Sequence, residues 1–213
     1  MNPHGLVAKT PSKPKTMLLR AAYCVLLAGG VCGLGYAGYV VADTHIYQTI
    51  EQSKFEKVSP SEVSHPAVEG SAIGEMEVPR LGLKAIFVQG DSPRILRHAV
   101  GHISETALPG EAGNVVLTGH RDSFFRPLRS IQVGDAITIK TLDGTFGYQV
   151  ASTEVVLPSD VQVLQPSSEN TLTLVTCFPF YYVGAAPKRF IVHARQTAQL
   201  PVQSTLTGAS RTF

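Results

Sequence analysis

From Ala21 to Ala42 the chain has no charged side chain: AAYCVLLAGGVCGLGYAGYVVA. As a helix, a run of this length reaches about 33 Å at ~1.5 Å per residue, enough to cross a bilayer core of about 30 Å. Its glycines dilute the apolar signal, but glycine is tolerated in membrane helices. Tyr23, Tyr36 and Tyr39 are suited to the interfaces. Lys9, Lys13, Lys15 and Arg20 precede the run with no acid among them, and Asp43 follows it. Cations flanking a span on one side mark that side as cytoplasmic. The expected layout is a basic cytoplasmic tail (1–20), a single-pass anchor (21–42) and an extracytoplasmic remainder. The alternative is a signal peptide cut before Asp43, behind Val40 and Ala42. Signal apolar regions are shorter, about 7–15 residues, which favours the anchor. Both readings export the rest of the chain.

Charge narrows the partners. The sequence has 18 Lys and Arg against 16 Asp and Glu; without the four cations of the tail, the remainder has 14 bases against 16 acids. Phosphate recognition needs concentrated positive charge. This balance argues against nucleic acid.

Cysteine use points the same way as the export signal. Cys24 and Cys32 lie inside the apolar run, where they act as small hydrophobes. Cys177 is the one cysteine of the exported part. It has no disulfide partner within its own domain, so it pairs between molecules or works as a thiol.

Residues 43–70 read as a stalk. Ile46 to Phe55 forms a short helical continuation, and Pro60, Pro66 and several serines mark a spacer. The folded domain spans 71–197. Its strand candidates are Ile73–Val78, Ala85–Val88, Asn114–Gly119, Ala136–Thr141, Tyr148–Leu157, Leu172–Cys177 and Phe190–Ala194. They are rich in Val, Ile and Thr and are separated by Pro109-Gly110, Gly134-Asp135 and Asp143-Gly144. Ser92–Ala99 reads as a helix, with Ser92 as N-cap and Pro93 at the first helical position. Phe124–Leu128 reads as a helical turn. Many short strands with few helices imply a mostly β protein, a small closed barrel. Residues 198–213 read as a flexible tail.

Three residues carry candidate chemistry. Cys177 ends the run Leu172-Thr173-Leu174-Val175-Thr176-Cys177, and Pro179 cannot continue a central ladder. In period-two alternation Cys177 shares a face with Thr173 and Val175. The alternative is a buried, inert thiol. His120 closes the run Asn114-Val115-Val116-Leu117-Thr118-Gly119-His120, and Gly119 permits close approach. A cysteine nucleophile needs such a proton-transfer partner for the leaving amine. The alternative is a surface histidine; His98, His102 and His193 also lie in the folded part. Arg189 begins the last strand. A fixed guanidinium suits the oxyanion of acyl transfer, yet Arg121, Arg126 and Arg195 are equal candidates on composition. His120-Arg121-Asp122 looks like the start of a kinase catalytic loop, but the later asparagine and the glycine-rich loop are missing. No paired-cysteine or H-x-x-x-H metal spacing occurs. Asp91, Asp143, Asp160 and Glu154 are carboxylates without a calcium-loop pattern.

Thr118-Gly119-His120-Arg121-Asp122, then Leu172-Thr173-Leu174-Val175-Thr176-Cys177, then Arg189 resemble the three signatures of the sortase family. The order His, Cys, Arg matches, with separations of 57 and 12 residues, and the likeness covers roughly residues 73–195. Pro109-Gly110 before Gly113-Asn114, and Cys177-Phe178-Pro179-Phe180, look most like the class D branch. The resemblance implies a closed eight-stranded β-barrel and a cysteine transpeptidase; no cofactor is assigned and no metal ligands are named, and metal dependence stays open. Cys177 would attack an LPXTG-like sorting signal after Thr, forming a thioacyl-enzyme. An amine acceptor, such as a peptidoglycan precursor or a pilin-like protein, would resolve it. It also implies His120 as general acid/base, Arg189 as stabiliser of the transition state, and Thr176 as a substrate-binding residue beside the nucleophile. Two other functions stand beside this one. A cell-envelope cysteine hydrolase would use the same Cys/His pair with water as acceptor. A catalytically silent membrane-tethered barrel would leave the three side chains apart.

Overall fold

Alternating Val, Ile and Thr in short runs, each ending in a turn signal, build a barrel wall rather than helices. The computed structural model describes residues 13–57, 68–182 and 184–200. Eight strands form the sheet: β1 Ala72–Val78, β2 Leu83–Gln89, β3 Val100–His102, β4 Asn114–Thr118, β5 Ala136–Thr141, β6 Thr145–Val156, β7 Thr171–Phe178 and β8 Lys188–Leu200. They close in the order β1-β2-β3-β4-β7-β8-β6-β5. The pairs β2–β3 and β4–β7 are parallel and the others antiparallel. The expected closed eight-stranded barrel is the observed fold.

The interior is apolar. Met76, Phe87, Leu117, Ile139, Phe146, Leu172 and Leu174 belong to one cluster, each at most 1% exposed. Burying a side chain of this size contributes about 1.5–3 kcal/mol. Phe180 and Phe190 pack against the same cluster. With Phe178 they form an aromatic trio, ring centroids 5.3–6.4 Å apart.

Some expectations shift. The helix expected over Ser92–Ala99 is one turn, α2 Pro93–Leu96, with proline at its start as expected and no side-chain cap from Ser92. The reason lies at its far end. Ala99 is buried with Ile86 and Val88, and Val100 pairs in parallel with Phe87, so the sheet takes these residues. The turn expected at Phe124–Leu128 is a 3-10 helix over Arg126–Ser130. The last strand is longer than expected: Ala198, Gln199 and Leu200 pair with Gly147, Phe146 and Thr145. The tail therefore does not begin at 198, and 201–213 lie outside the described residues, as do Pro60 and Pro66.

The N-terminal run is helical over α1, Lys13–Lys57. Within it Met17–Ile50 is long and apolar enough to cross a membrane. The helix crosses the expected tail–anchor and anchor–stalk boundaries without a break and ends within the expected stalk, at Lys57. The chain divides into two compact units, residues 1–43 and 44–213. In the second, Gln48 uses both ends of its amide. Its Oε1 accepts from the Ile86 N–H (3.0 Å) and its Nε2 donates to the His98 carbonyl (2.6 Å). Ile86 precedes the first β2–β3 pair, Phe87↔Val100, so its N–H has no strand partner there and Gln48 supplies one.

Candidate active site

The three predicted residues lie at the ends of three adjacent strands, β4, β7 and β8. Alternation sorts the faces of β7. Leu172 and Leu174 enter the core, which leaves Thr173, Val175 and Cys177 on the outward face. Cys177 stands directly opposite Arg189 in the antiparallel β7–β8 ladder. Opposed residues of such a pair share a face, with Cβ atoms roughly 4.5–5.5 Å apart.

His120 reaches the same place from β4. Strands β4 and β7 run parallel, and their last pair is Thr118↔Val175. The Gly119 N–H donates to the Val175 carbonyl at 3.2 Å, so the pairing continues past the end of β4. His120 lies two residues beyond Thr118, as Cys177 lies two beyond Val175. Val115 and Leu117 face the core; carried past Thr118, the alternation puts His120 on the outward side with Val116 and Thr118. His120, Cys177 and Arg189 are all half-buried.

The backbone before His120 is fixed on two sides. The Thr176 hydroxyl donates to the Gly119 carbonyl at 2.7 Å. Phe125, fully buried, covers Gly119: a Cβ there would lie 3.1–3.3 Å from its ring. The Phe125 N–H in turn donates to the His120 carbonyl at 3.0 Å. The close approach expected of Gly119 is thus to an aromatic ring. Thr176, named above as a substrate-binding residue, is 2% exposed and its hydroxyl is bonded to the Gly119 carbonyl, which braces the backbone before His120.

The competing residues are placed elsewhere. Arg195 pairs across the ladder with Thr171, far along β8 from Cys177, and its guanidinium lies 3.5 Å from Glu169. Arg126 is exposed at the start of the 3-10 helix. Arg121 is buried, with two bonds from Nη2 to the carbonyls of Tyr182 and Gly184. Arg189 donates from Nη1 to the carbonyls of Lys188 (3.0 Å) and Ala186 (3.3 Å). Among the described residues no carboxylate bonds to it, which leaves its positive charge available to a developing oxyanion. Of the other histidines, His193 bonds to Glu154 at 2.9 Å, His102 is enclosed in β3, and the His98 ring packs against Tyr47. Among the described residues, no three His, Cys, Asp or Glu side chains gather as a metal site. Asp160 caps a turn by accepting from the Leu157 N–H.

A thiol, an imidazole and a guanidinium on one outward face provide the parts for acyl transfer. The family profile described as Sortase domain matches residues 76–197. The chain belongs to the sortase family.

Among curated relatives, Sortase D of Bacillus subtilis is 31% identical over 188 residues, covering 80% of this chain and 95% of that one. A solved Sortase D5 transpeptidase of Clostridium perfringens superposes with a TM-score of 0.64 at 30% identity, over 72% of this chain and 98% of that one. A Corynebacterium diphtheriae sortase, SrtF, shares the fold with a TM-score of 0.63 at 24% identity. This sortase is therefore class D-like, as its Pro-Gly and Cys-Phe-Pro-Phe segments led one to expect. Sequence reasoning missed the roles of Thr176 and Arg121 in holding the site's loops.

Proposed function

We propose that this sortase is a membrane-anchored cysteine transpeptidase that cleaves an LPXTG-like sorting signal after its threonine. The register of Cys177 against Arg189, with His120 at the end of the neighbouring strand, carries this reading. The Cys177 thiolate attacks the threonine carbonyl carbon, and the oxyanion takes hydrogen bonds from Arg189. The C–N bond breaks, and protonated His120 gives its proton to the departing amine. The product is a thioester between Cys177 and the threonine carbonyl. An acceptor amine then attacks the thioester and yields a proton to His120, and the Cys177 thiolate leaves. Protons and charges balance over the cycle, and the new amide replaces the old one.

The acceptor is a peptidoglycan precursor or a pilin-like protein. Helix α1 provides the anchor, with residues 1–20 cytoplasmic and the barrel extracytoplasmic. The unburied apolar window Met17–Ile50 and the cations before it support that orientation.

Incubating the detergent-solubilised chain with LPXTG-like peptides, with and without a small amine, tests the reading by product mass. Cleavage after threonine with an amine adduct, lost in Cys177→Ala, is the expected result. Free acid alone in the presence of amine would favour the cysteine hydrolase. No cleavage and no thioester mass on Cys177 across the panel would count against both.

A further inference from the structure

One residue after His120, a buried guanidinium takes no part in the chemistry above. Arg121 is 9% exposed. Its Nη2 donates to the Tyr182 carbonyl at 2.6 Å and to the Gly184 carbonyl at 3.0 Å. Its guanidinium carbon lies 5.9 Å from the centroid of the Tyr182 ring. A second pair repeats the pattern further out: Arg129 donates to the Tyr181 hydroxyl at 3.1 Å and stands over that ring at 5.7 Å. Tyr181, Tyr182 and Gly184 belong to the connection from β7 to β8, whose two ends are Cys177 and Arg189. Arg121 thus ties the loop spanning those two residues to the segment carrying His120.

A purely structural role accounts poorly for this residue. Among the described residues its buried Nη1 has no partner, and a bare buried donor costs stability that an apolar side chain would not. Nor does the barrel need it. Cys177 and Arg189 are held by the ladder, and the approach to His120 by Thr176 and Val175.

We propose that Arg121 is a positioning residue. It clamps the β7–β8 loop onto the His120 segment and so sets the wall against which the sorting-signal peptide is held. This rests on the transpeptidase reading for its substrate, but the clamp itself can be measured without turnover. The cation–π contact and the two carbonyl bonds act on one loop, so their loss frees the loop and leaves the thiol where it is.

The test uses the full chain in detergent with Arg121→Met, which keeps apolar volume, and Arg121→Lys, which keeps the charge. Amide exchange over residues 179–187, KM and kcat for the peptide, and iodoacetamide alkylation of Cys177 are measured for each. For Arg121→Met, loop exchange is expected to speed up and KM to rise by about ten-fold, the scale of losing hydrogen bonds to a charged group. The alkylation rate is expected to stay at the wild-type level, and Arg121→Lys to recover part of the loss. Unchanged loop exchange in Arg121→Met would overturn the proposal. So would alkylation falling in step with turnover, the mark of a general structural defect. Absence of turnover in the wild-type chain would count against the transpeptidase reading alone, because exchange and alkylation still decide the clamp.

Discussion

Cys177 and Arg189 are direct partners across the β7–β8 ladder. The backbone positions of the two residues are therefore set by the ladder's hydrogen bonds, while the Arg189 guanidinium itself is held by the Lys188 and Ala186 carbonyls. Arg189→Ala is expected to leave the fold and the alkylation of Cys177 intact while lowering kcat by about 10²–10³-fold, the usual cost of losing one oxyanion donor. Peptide turnover beside iodoacetamide labelling checks this; equal losses in both would mean that the arginine supports the thiol instead.

Thr176 predicts a defect without touching the reaction. Thr176→Val keeps the volume but leaves the Gly119 carbonyl without its 2.7 Å donor. An unpaired buried acceptor costs about 1–3 kcal/mol, and the strain falls on the peptide next to His120. Denaturation and turnover should both worsen, and Thr176→Ser should restore both.

Gly119 is expected to resist even the smallest side chain. A Cβ at 3.1–3.3 Å from the Phe125 ring forces a fully buried aromatic to move. Overpacking of this kind costs about 1–3 kcal/mol. Urea denaturation of Gly119→Ala should show a lower midpoint; an unchanged midpoint would mean that Phe125 yields freely.

Acid should weaken the barrel in two separate windows. Burial lowers the pKa of His102 from 6.5, although its bond to the Ala107 carbonyl and the charge of Glu111 oppose the shift. The unfolded chain then binds the proton more readily, so stability present above pH 6.5 is lost as pH falls from there toward the folded value. Asp135 behaves as a paired carboxylate. Its bond from Arg80 holds its pKa below 3.8, against the opposing effect of burial. Its contribution is present above 3.8 and is lost as pH falls through the lower folded value. Thermal melts across pH should show both declines; His102→Gln should remove the first and keep the second.

The sequence made the strands legible where side chains alternated or ran long. Leu172 to Cys177 and Ala136 to Thr141 announce themselves by Val, Ile, Leu and Thr. Val100–His102 does not: it has three residues, one of them a glycine, next to a serine–proline helix start. Only its parallel partner, distant in sequence, makes it a strand. Cys177, His120 and Arg189 could be placed because each ends or begins a recognisable run. Thr176 and Arg121 could not, because their partners are backbone carbonyls. Composition gives no sign of those, and folding alone brings them near. The longer β8 was hidden for the same reason, since Ala198–Leu200 pair through main chain with Thr145–Gly147.

The convergence of three strand ends has a consequence for how such a protein can change. Its reactive groups hang from a rigid lattice, while the connections leading away from them, 157–170 and 179–187, contribute no reactive group. Of the two, 179–187 also holds the Arg189 guanidinium through Ala186 and meets Arg121 through Tyr182 and Gly184, so change falls most freely on 157–170. New preferences would then arise by editing the rim, with the reaction inherited unchanged.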